Sequence, residues 1–274
     1  MSIIFEWKES EMQALLATCS GDEAWPMIQR HFPPGSRLLE AGCGSGRWLR
    51  FLTDRGYEIV GLEYKGETLE MVRRAWPDLA VVQGDCEGSP FEASSFDGAL
   101  SFGVVEHWKE GPARPLADLM RVLRPGGRAL ITVPCLNAVR RLKRRVLWDD
   151  ITQAPKAVAV KLIKGRPIPL SRLDPRYRYA VFPAWGEFYE YRMTPPQFRA
   201  EIEKAGFEVV EHLPVATFDG IYHELNPFDL LVRWEDWRFH PTKLALWLHE
   251  RLKTRTFAHP HMQAIIARKP ERAA

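Results

Sequence analysis

The most constraining feature of the chain is an apolar run that ends in a carboxylate and is followed by glycines at alternate positions. The run closes at Glu40, and the glycines are Gly42, Gly44 and Gly46. Residues 47–55 then have the pattern of a helix. A strand, a tight glycine turn and a helix start, in this order, predict the ligand-binding turn of a doubly wound α/β protein.

The glycine spacing and Glu40 indicate which ligand the turn would hold. A dinucleotide fingerprint has its third glycine three positions after the second, so that the backbone closes on a pyrophosphate. Here Gly46 comes one position early and Arg47 stands in its place. Glu40 would repel a pyrophosphate, but it suits a ligand with a cationic amino group and no phosphates, such as S-adenosylmethionine. A glycine-rich turn in some other α/β domain is the alternative.

At these residues the chain resembles the class I S-adenosylmethionine-dependent methyltransferases, whose first motif is an acidic residue, any residue, then Gly-x-Gly-x-Gly. It is most similar to the broad type 11-like group that includes quinone-biosynthesis and small-molecule methylating enzymes. The resemblance implies a Rossmann-like, doubly wound, seven-stranded and mostly parallel sheet with an antiparallel last strand and lid insertions. It also implies methyl transfer (EC 2.1.1.-) from S-adenosylmethionine to an acceptor, with S-adenosylhomocysteine as product.

Alternating apolar and helix-patterned segments predict parallel βαβ units. Five strands are predicted at 36–40, 57–63, 80–83, 96–101 and 128–133, and the resemblance makes 207–215 and 263–267 the sixth and seventh. We divide the chain into an N-terminal helical cap, a cofactor-binding core, a basic and aromatic lid insertion, and a second insertion that shapes the acceptor pocket. Their ranges are 1–34, 35–134, 135–192 and 216–261, with 193–215 and 262–270 completing the core sheet.

Acidic residues at the ends of the second and third strands are the next candidates for cofactor binding. Glu63 is placed to accept hydrogen bonds from ribose hydroxyls, and Tyr64 to cover a face of the adenine. The resemblance assigns Asp85 to the adenine amino group and the backbone amide of Cys86 to a ring nitrogen. A Gly-Asp turn explains Asp85 equally well when it is considered alone. The resemblance also implies that Ser101, at the end of the fourth strand, contacts the methionine end.

Candidates for contact with the acceptor are less specific. His107 is the most available general base of the core, because its neutral form exists at physiological pH. Tyr191, Tyr222 and His223 lie in aromatic segments of the two insertions and are predicted to contact a flat or apolar acceptor. Aromatic residues in such additions are more often packing residues.

Composition excludes several classes of protein. The 274 residues are 46% hydrophobic and 27% charged, and a net charge of +3 is too small to predict a nucleic-acid partner. No signal-peptide pattern or long apolar run is present, so a cytoplasmic protein is expected. The four cysteines are far apart and predict free thiols, with neither a metal site nor a disulfide framework.

The lid insertion is basic, with twelve Lys or Arg against three Asp or Glu across 136–186. This segment favours either a lid with a solvated face or a peripheral contact with an anionic membrane or acceptor. Two other functions stay open for the chain. One is a non-catalytic partner or regulatory protein that binds S-adenosylmethionine, and the other is a NAD-dependent oxidoreductase.

Overall fold

The computed structural model describes residues 7–145, 178–181, 188–226, 230–235, 238–252 and 259–271. The strands are β1 Arg37–Ala41, β2 Glu58–Glu63, β3 Ala80–Gln83, β4 Phe96–Phe102, β5 Leu123–Pro134, β6 Arg178–Val181, β7 Phe188–Arg192, β8 Glu208–Val215, β9 Val232–Glu235, β10 Arg238–Pro241 and β11 Met262–Arg268. The helices are α1 Met12–Thr18, α2 Ala24–His31, α3 Arg47–Thr53, α4 Gly66–Ala75, α5 Ala113–Val122, α6 Ala138–Arg145, α7 Pro195–Lys204, α8 Thr217–Leu225 and α9 Lys243–Leu252.

Seven strands form one sheet in the order β3-β2-β1-β4-β5-β11-β8. The first five in this order pair in parallel, whereas β11 is antiparallel to both β5 and β8. This confirms the predicted Rossmann-like sheet with an antiparallel last strand. Because β8 runs in the same direction as β5, its carboxyl end lies at the same edge as the carboxyl ends of the parallel strands. Ligands of doubly wound proteins bind at that edge.

Both faces of the sheet are buried, because successive strand residues point to opposite sides. On β1, Leu38 belongs to the same buried cluster as Trp48 and Leu52 of α3, while Leu39 belongs to the cluster that includes Leu116 of α5 and Phe198 of α7. These clusters form the two halves of the core. The sequence Thr194-Pro195-Pro196-Gln197 predicts a helix start with Thr194 as N-cap, and the α7 helix begins there. The Thr194 backbone N–H donates to Gln197 Oε1 at 3.0 Å, and prolines occupy the first two positions.

Strand β5 begins earlier than predicted. The sequence around Arg124-Pro125-Gly126-Gly127 predicts a turn before a strand at 128, but the strand starts at Leu123, which pairs with Phe96. Hydrogen bonds to Lys269 hold the glycine pair. The Gly126 N–H donates to the Lys269 carbonyl at 2.9 Å, and the Lys269 N–H donates to the Gly127 carbonyl at 2.8 Å. Pairing on both sides therefore extends the strand through local turn signals.

The insertions contribute two antiparallel hairpins, β6–β7 and β9–β10, outside the main sheet. Most of the predicted basic lid, 146–177 and 182–187, lies outside the described residues, as does the prediction of membrane contact that rests on it. In the described ranges, none of the helices is both long and apolar enough to span a bilayer.

Candidate functional site

The glycine loop after β1 forms the floor of the candidate site. The N–H groups of Gly42 and Cys43 both donate to Leu62 O of the neighbouring strand, at 2.8 and 2.9 Å. Gly42 has φ +79°, and a Cβ there would lie 2.7 Å from a methyl group of Val104. A side chain at this position would therefore be strained and would also collide with the loop after β4.

The other two glycines are also close to neighbouring side chains and have positive φ, +49° at Gly44 and +72° at Gly46. A Cβ on Gly46 would lie 3.1 Å from Val72 of α4, and one on Gly44 would lie 3.0 Å from the indole of Trp7. The predicted turn is thus a tight loop in which a side chain at any of the three positions would be strained. Sequence reasoning missed Trp7, since nothing in the sequence links it to a loop so far along the chain.

Glu63, at the end of β2, is held by the backbone. Its Oε2 accepts from Gly44 N–H at 3.1 Å and its Oε1 accepts from Lys65 N–H at 3.0 Å. Each carboxylate oxygen has a further lone pair that can accept a hydrogen bond from a ligand hydroxyl. Tyr64 beside it is 52% exposed. The carboxylate is therefore oriented before any ligand binds.

Asp85 and Cys86 follow β3. Asp85 Oδ1 accepts from Glu87 N–H at 3.0 Å, and its carbonyl accepts from Gly88 N–H at 3.3 Å, so the side chain stabilises its own turn. Burial, with Asp85 and Glu63 adding to it, raises the pKa of the Cys86 thiol far above its usual range. The thiol is therefore protonated near neutral pH, which does not suit a nucleophile.

Among the buried polar atoms at this edge, two beside the glycine loop and β4 have no hydrogen-bond partner among the described residues. Glu40 is 3% exposed and its Oε2 accepts no hydrogen bond, and Ser101 Oγ on β4 is equally unpartnered at 1% exposure. Burial raises the pKa of Glu40 to about 8, although Arg47 opposes this shift. Because buried polar groups are normally satisfied, these atoms indicate a place for a polar ligand beside the glycine loop.

Comparison with known proteins assigns the core. A family of methyltransferase domains matches residues 39–131. The core of the chain is a class I S-adenosylmethionine-dependent methyltransferase domain. A probable S-adenosylmethionine-dependent methyltransferase of Mycolicibacterium smegmatis is 34% identical over 194 residues, which is 70% of this chain and 58% of the relative. A probable tRNA methyltransferase 9B of Mus musculus is 32% identical over 134 residues, or 47% of this chain and 28% of the relative.

The chain thus spans less than two thirds of the length of both relatives. Among solved structures, an S-adenosylmethionine-dependent methyltransferase of Methanosarcina mazei has a TM-score of 0.57 at 17% identity, covering 90% of this chain and 98% of the other. Such low identity supports the fold alone. The matches define the methyltransferase core and leave the acceptor undefined.

A 3-10 turn at Val105–His107 follows β4 at the same edge of the sheet. Glu106 in this turn is 1% exposed, its Oε2 has no hydrogen-bond partner in the described part of the chain, and burial raises its pKa well above the usual range. His107 is also buried, with Nε2 3.9 Å from Glu106 Oε1. The predicted base therefore lies beside a buried carboxyl group whose pKa is raised.

The three residues that the sequence predicts to contact an acceptor lie in different surroundings. Tyr191 is fully buried and its hydroxyl donates to the carbonyl of Lys109, so its polar group is occupied by the backbone. Tyr222 packs against Phe239, with ring centroids 5.7 Å apart. The exposed ring of His223 lies 4.5 Å from the ring of His261. The structure brings Tyr222 and His223 together on α8 and places Tyr191 on β7, under the turn that holds His107.

Arg47 stands where a dinucleotide fingerprint would have its third glycine, and its side chain connects the glycine loop to the N-terminal cap. Its Nη1 donates to Thr18 Oγ1 at 2.7 Å and its Nη2 to Asp22 Oδ2 at 3.2 Å. From the cap, Glu23 accepts from the backbone N–H and hydroxyl of Thr217, at 3.3 and 2.5 Å. The cap is therefore joined to the start of α8, beyond the carboxyl end of β8. Neither contact could be predicted from the sequence around the residues that make it.

Proposed function

We propose that the chain binds S-adenosylmethionine at the carboxyl edge of β1–β4 and transfers its methyl group to a small-molecule acceptor. The observation that supports this most is the buried, unpartnered carboxyl oxygen of Glu40 beside the glycine loop. A ligand ammonium group would satisfy that oxygen and favour its ionised form. A pyrophosphate would do neither, which argues against the NAD-dependent alternative.

Each predicted cofactor residue has a role that fits its geometry. Glu40 holds the amino group, and Gly42, Gly44 and Gly46 allow the backbone to approach the ligand closely. Glu63, already oriented by two backbone N–H groups, accepts from the ribose hydroxyls, and Tyr64 covers the adenine. Asp85 and the amide of Cys86 bind the adenine edge, and Ser101 Oγ contacts the methionine end.

When bound, the cofactor supplies a methyl group on a sulfonium, which is a good leaving group. The chain's own residues therefore need mainly to align the acceptor and exclude water. His107 takes a proton from the acceptor when the attacking atom carries one. Its buried position next to Glu106 keeps this step away from solvent. Tyr222 and His223 line the approach from the second insertion.

The acceptor class is the least constrained part of the proposal. A flat, apolar, anionic or lipid-like small molecule suits the aromatic and basic insertions. The proposal places the reaction in the cytoplasm and includes no metal. The mouse relative is named for tRNA, but the matched region covers 28% of it. Contact of 136–186 with a membrane is a variant of the same proposal.

Calorimetry with S-adenosylmethionine, S-adenosylhomocysteine and NAD tests cofactor identity, and we expect micromolar or tighter binding of the first two only. Binding of NAD alone would contradict the proposal. Methyl transfer is then measured with a labelled donor in three arms: soluble aromatic and acidic small molecules, quinones in liposomes, and total tRNA. Cofactor binding without transfer in any arm would favour the non-catalytic alternative. Transfer only to tRNA would overturn the small-molecule acceptor.

A further inference from the structure

The indole of Trp7, near the start of the cap, lies directly on the glycine loop. Three of its atoms, Cε2, Cζ2 and Nε1, are each 3.0 Å from the position that a Cβ on Gly44 would occupy. A side chain at this position would press against the ring, so the glycine makes room for it. The loop therefore has a contact on its outer side that belongs to a distant part of the chain.

The same glycine contacts the carboxylate that we assign to the ribose. The Gly44 N–H donates to Glu63 Oε2 at 3.1 Å. The carboxylate and the indole of Trp7 thus contact one residue, the first through its N–H and the second through its Cα. A nucleoside bound to Glu63 through its hydroxyls is large enough to extend across that single residue to the indole.

The ring of Trp7 is not locked into the core. It is 37% exposed, whereas Trp48 of α3 is fully buried. The ring also lines a cavity of about 340 Å³ between the start of the cap and α4, where Thr68 and Met71 form part of the opposite wall. Side chains in a close-packed core cannot move alone, but a ring with open space beside it can lift from the loop.

The segment that carries Trp7 is joined to α4 by an exposed ion pair. Glu9 Oε2 lies 3.7 Å from Arg74 Nε, and both side chains are more than half exposed. Exposed pairs contribute little stability, so this link opposes movement of the segment only weakly. The later part of the cap is anchored separately, because Arg47 donates to Thr18 Oγ1. Trp7 can therefore move while the rest of the cap stays in place.

We infer that Trp7 is a cofactor-contacting residue that covers the bound ligand beside Gly44 and slows its release. This rests on the proposed function. The exposed part of the indole becomes buried against the ligand, which is favourable because a large aromatic surface leaves water at little cost in side-chain freedom. The ring lifts from the loop when the ligand enters or leaves, and it excludes water while the ligand is bound.

The test compares Trp7→Ala with Trp247→Ala, a matched control that removes another partly exposed indole, on α9. We expect Trp7→Ala to weaken S-adenosylhomocysteine binding about tenfold in calorimetry, with most of the change in a faster dissociation rate by surface plasmon resonance. Trp7→Phe keeps an aromatic ring and should lose less than about threefold. Trp247→Ala should bind like the unmodified protein.

Fluorine NMR gives a readout that does not depend on affinity. The chain has ten tryptophans. In protein labelled with 5-fluorotryptophan, the signal that is absent from Trp7→Phe belongs to Trp7. We expect saturating S-adenosylhomocysteine to shift this signal, because the ring then contacts the ligand. The Trp247 signal, assigned in the same way from Trp247→Ala, should stay in place.

Unchanged affinity and dissociation in Trp7→Ala would overturn the inference, and so would tighter binding, which would mean that the indole competes with the ligand for the loop. A Trp7 fluorine signal that does not move at saturation would overturn it as well. In these cases the unmodified protein still binds, and the proposed function stands. Absence of binding of both S-adenosylmethionine and S-adenosylhomocysteine by the unmodified protein would overturn both. Should Trp7→Ala fail to fold, Trp7→Phe and the fluorine signal decide the question.

Discussion

Glu23 accepts hydrogen bonds from both the backbone N–H and the hydroxyl of Thr217, a residue 194 positions further along the chain. This contact joins the N-terminal cap to the helix that opens the second insertion. Because β8 ends at the same edge of the sheet as β1 to β4, Thr217 lies beyond the edge that carries the candidate site. We call the pair of Glu23 and Thr217 the roof contact.

Removing the roof contact should loosen both parts together. Glu23→Gln, which weakens charge-assisted bonds to two donors, is expected to cost about 1–2 kcal/mol in urea unfolding. It should also speed dissociation of S-adenosylhomocysteine in stopped-flow experiments. The matched Glu203→Gln variant loses only an exposed pair and should cost less than about 0.5 kcal/mol. Equal effects of the two variants would show that the roof contact is no stronger than a surface pair.

Cofactor binding should release a proton from Glu40. Its pKa of about 8 in the ligand-free protein means that the carboxyl group is mostly protonated at pH 7. An ammonium group beside it favours the anion, so a proton must leave, and affinity should rise as the pH increases from 6 to 8. Calorimetry in buffers of different ionisation enthalpy should give close to one proton released at pH 7. Glu40→Gln should release none, and an equal release from that variant would contradict the assignment.

The two strand-end carboxylates should each contribute to affinity. Glu63→Ala and Asp85→Ala are expected to weaken S-adenosylmethionine binding about tenfold or more, through lost hydrogen bonds. Asp85→Asn separates two roles, because an amide oxygen can still accept from Glu87 N–H and keep the turn. It should lower affinity nearly as much as Asp85→Ala while keeping the melting temperature. Unchanged affinity in folded Glu63 and Asp85 variants would refute the site.

Gly42→Ala should damage the loop through two separate effects. Its φ of +79° disfavours a side chain, and the new Cβ would lie 2.7 Å from Val104. Gly35→Ala is a matched control, since φ there is +84° but nothing lies within 4 Å. We expect about 1 kcal/mol of destabilisation from Gly35→Ala and 2–4 kcal/mol from Gly42→Ala, with cofactor binding lost only in the latter. Equal unfolding costs would rule out the steric effect.

Much of the geometry of the candidate site could be predicted from the sequence. Glu40, Glu63 and Asp85 each follow an apolar run, and parallel strands bring their carboxyl ends to one edge, as the sheet order confirms. The start of β5 was predicted five residues too late, because pairing with β4 and with Lys269 extends the strand through a proline and two glycines. Local signals do not include those partners.

The sequence by itself determined the fold and the glycine loop and predicted the kind of ligand, because short periodic patterns and motif spacing encode them locally. Tertiary structure decided that Arg47 reaches the cap, that Glu23 meets Thr217 and that the Tyr191 hydroxyl donates to the backbone. It also decided that one carboxyl oxygen of Glu40 has no hydrogen-bond partner within the described ranges. These facts depend on segments far apart in the chain and on the exclusion of water. The distant contacts and the exclusion of water arise only when the sheet has packed with the cap and with the second insertion.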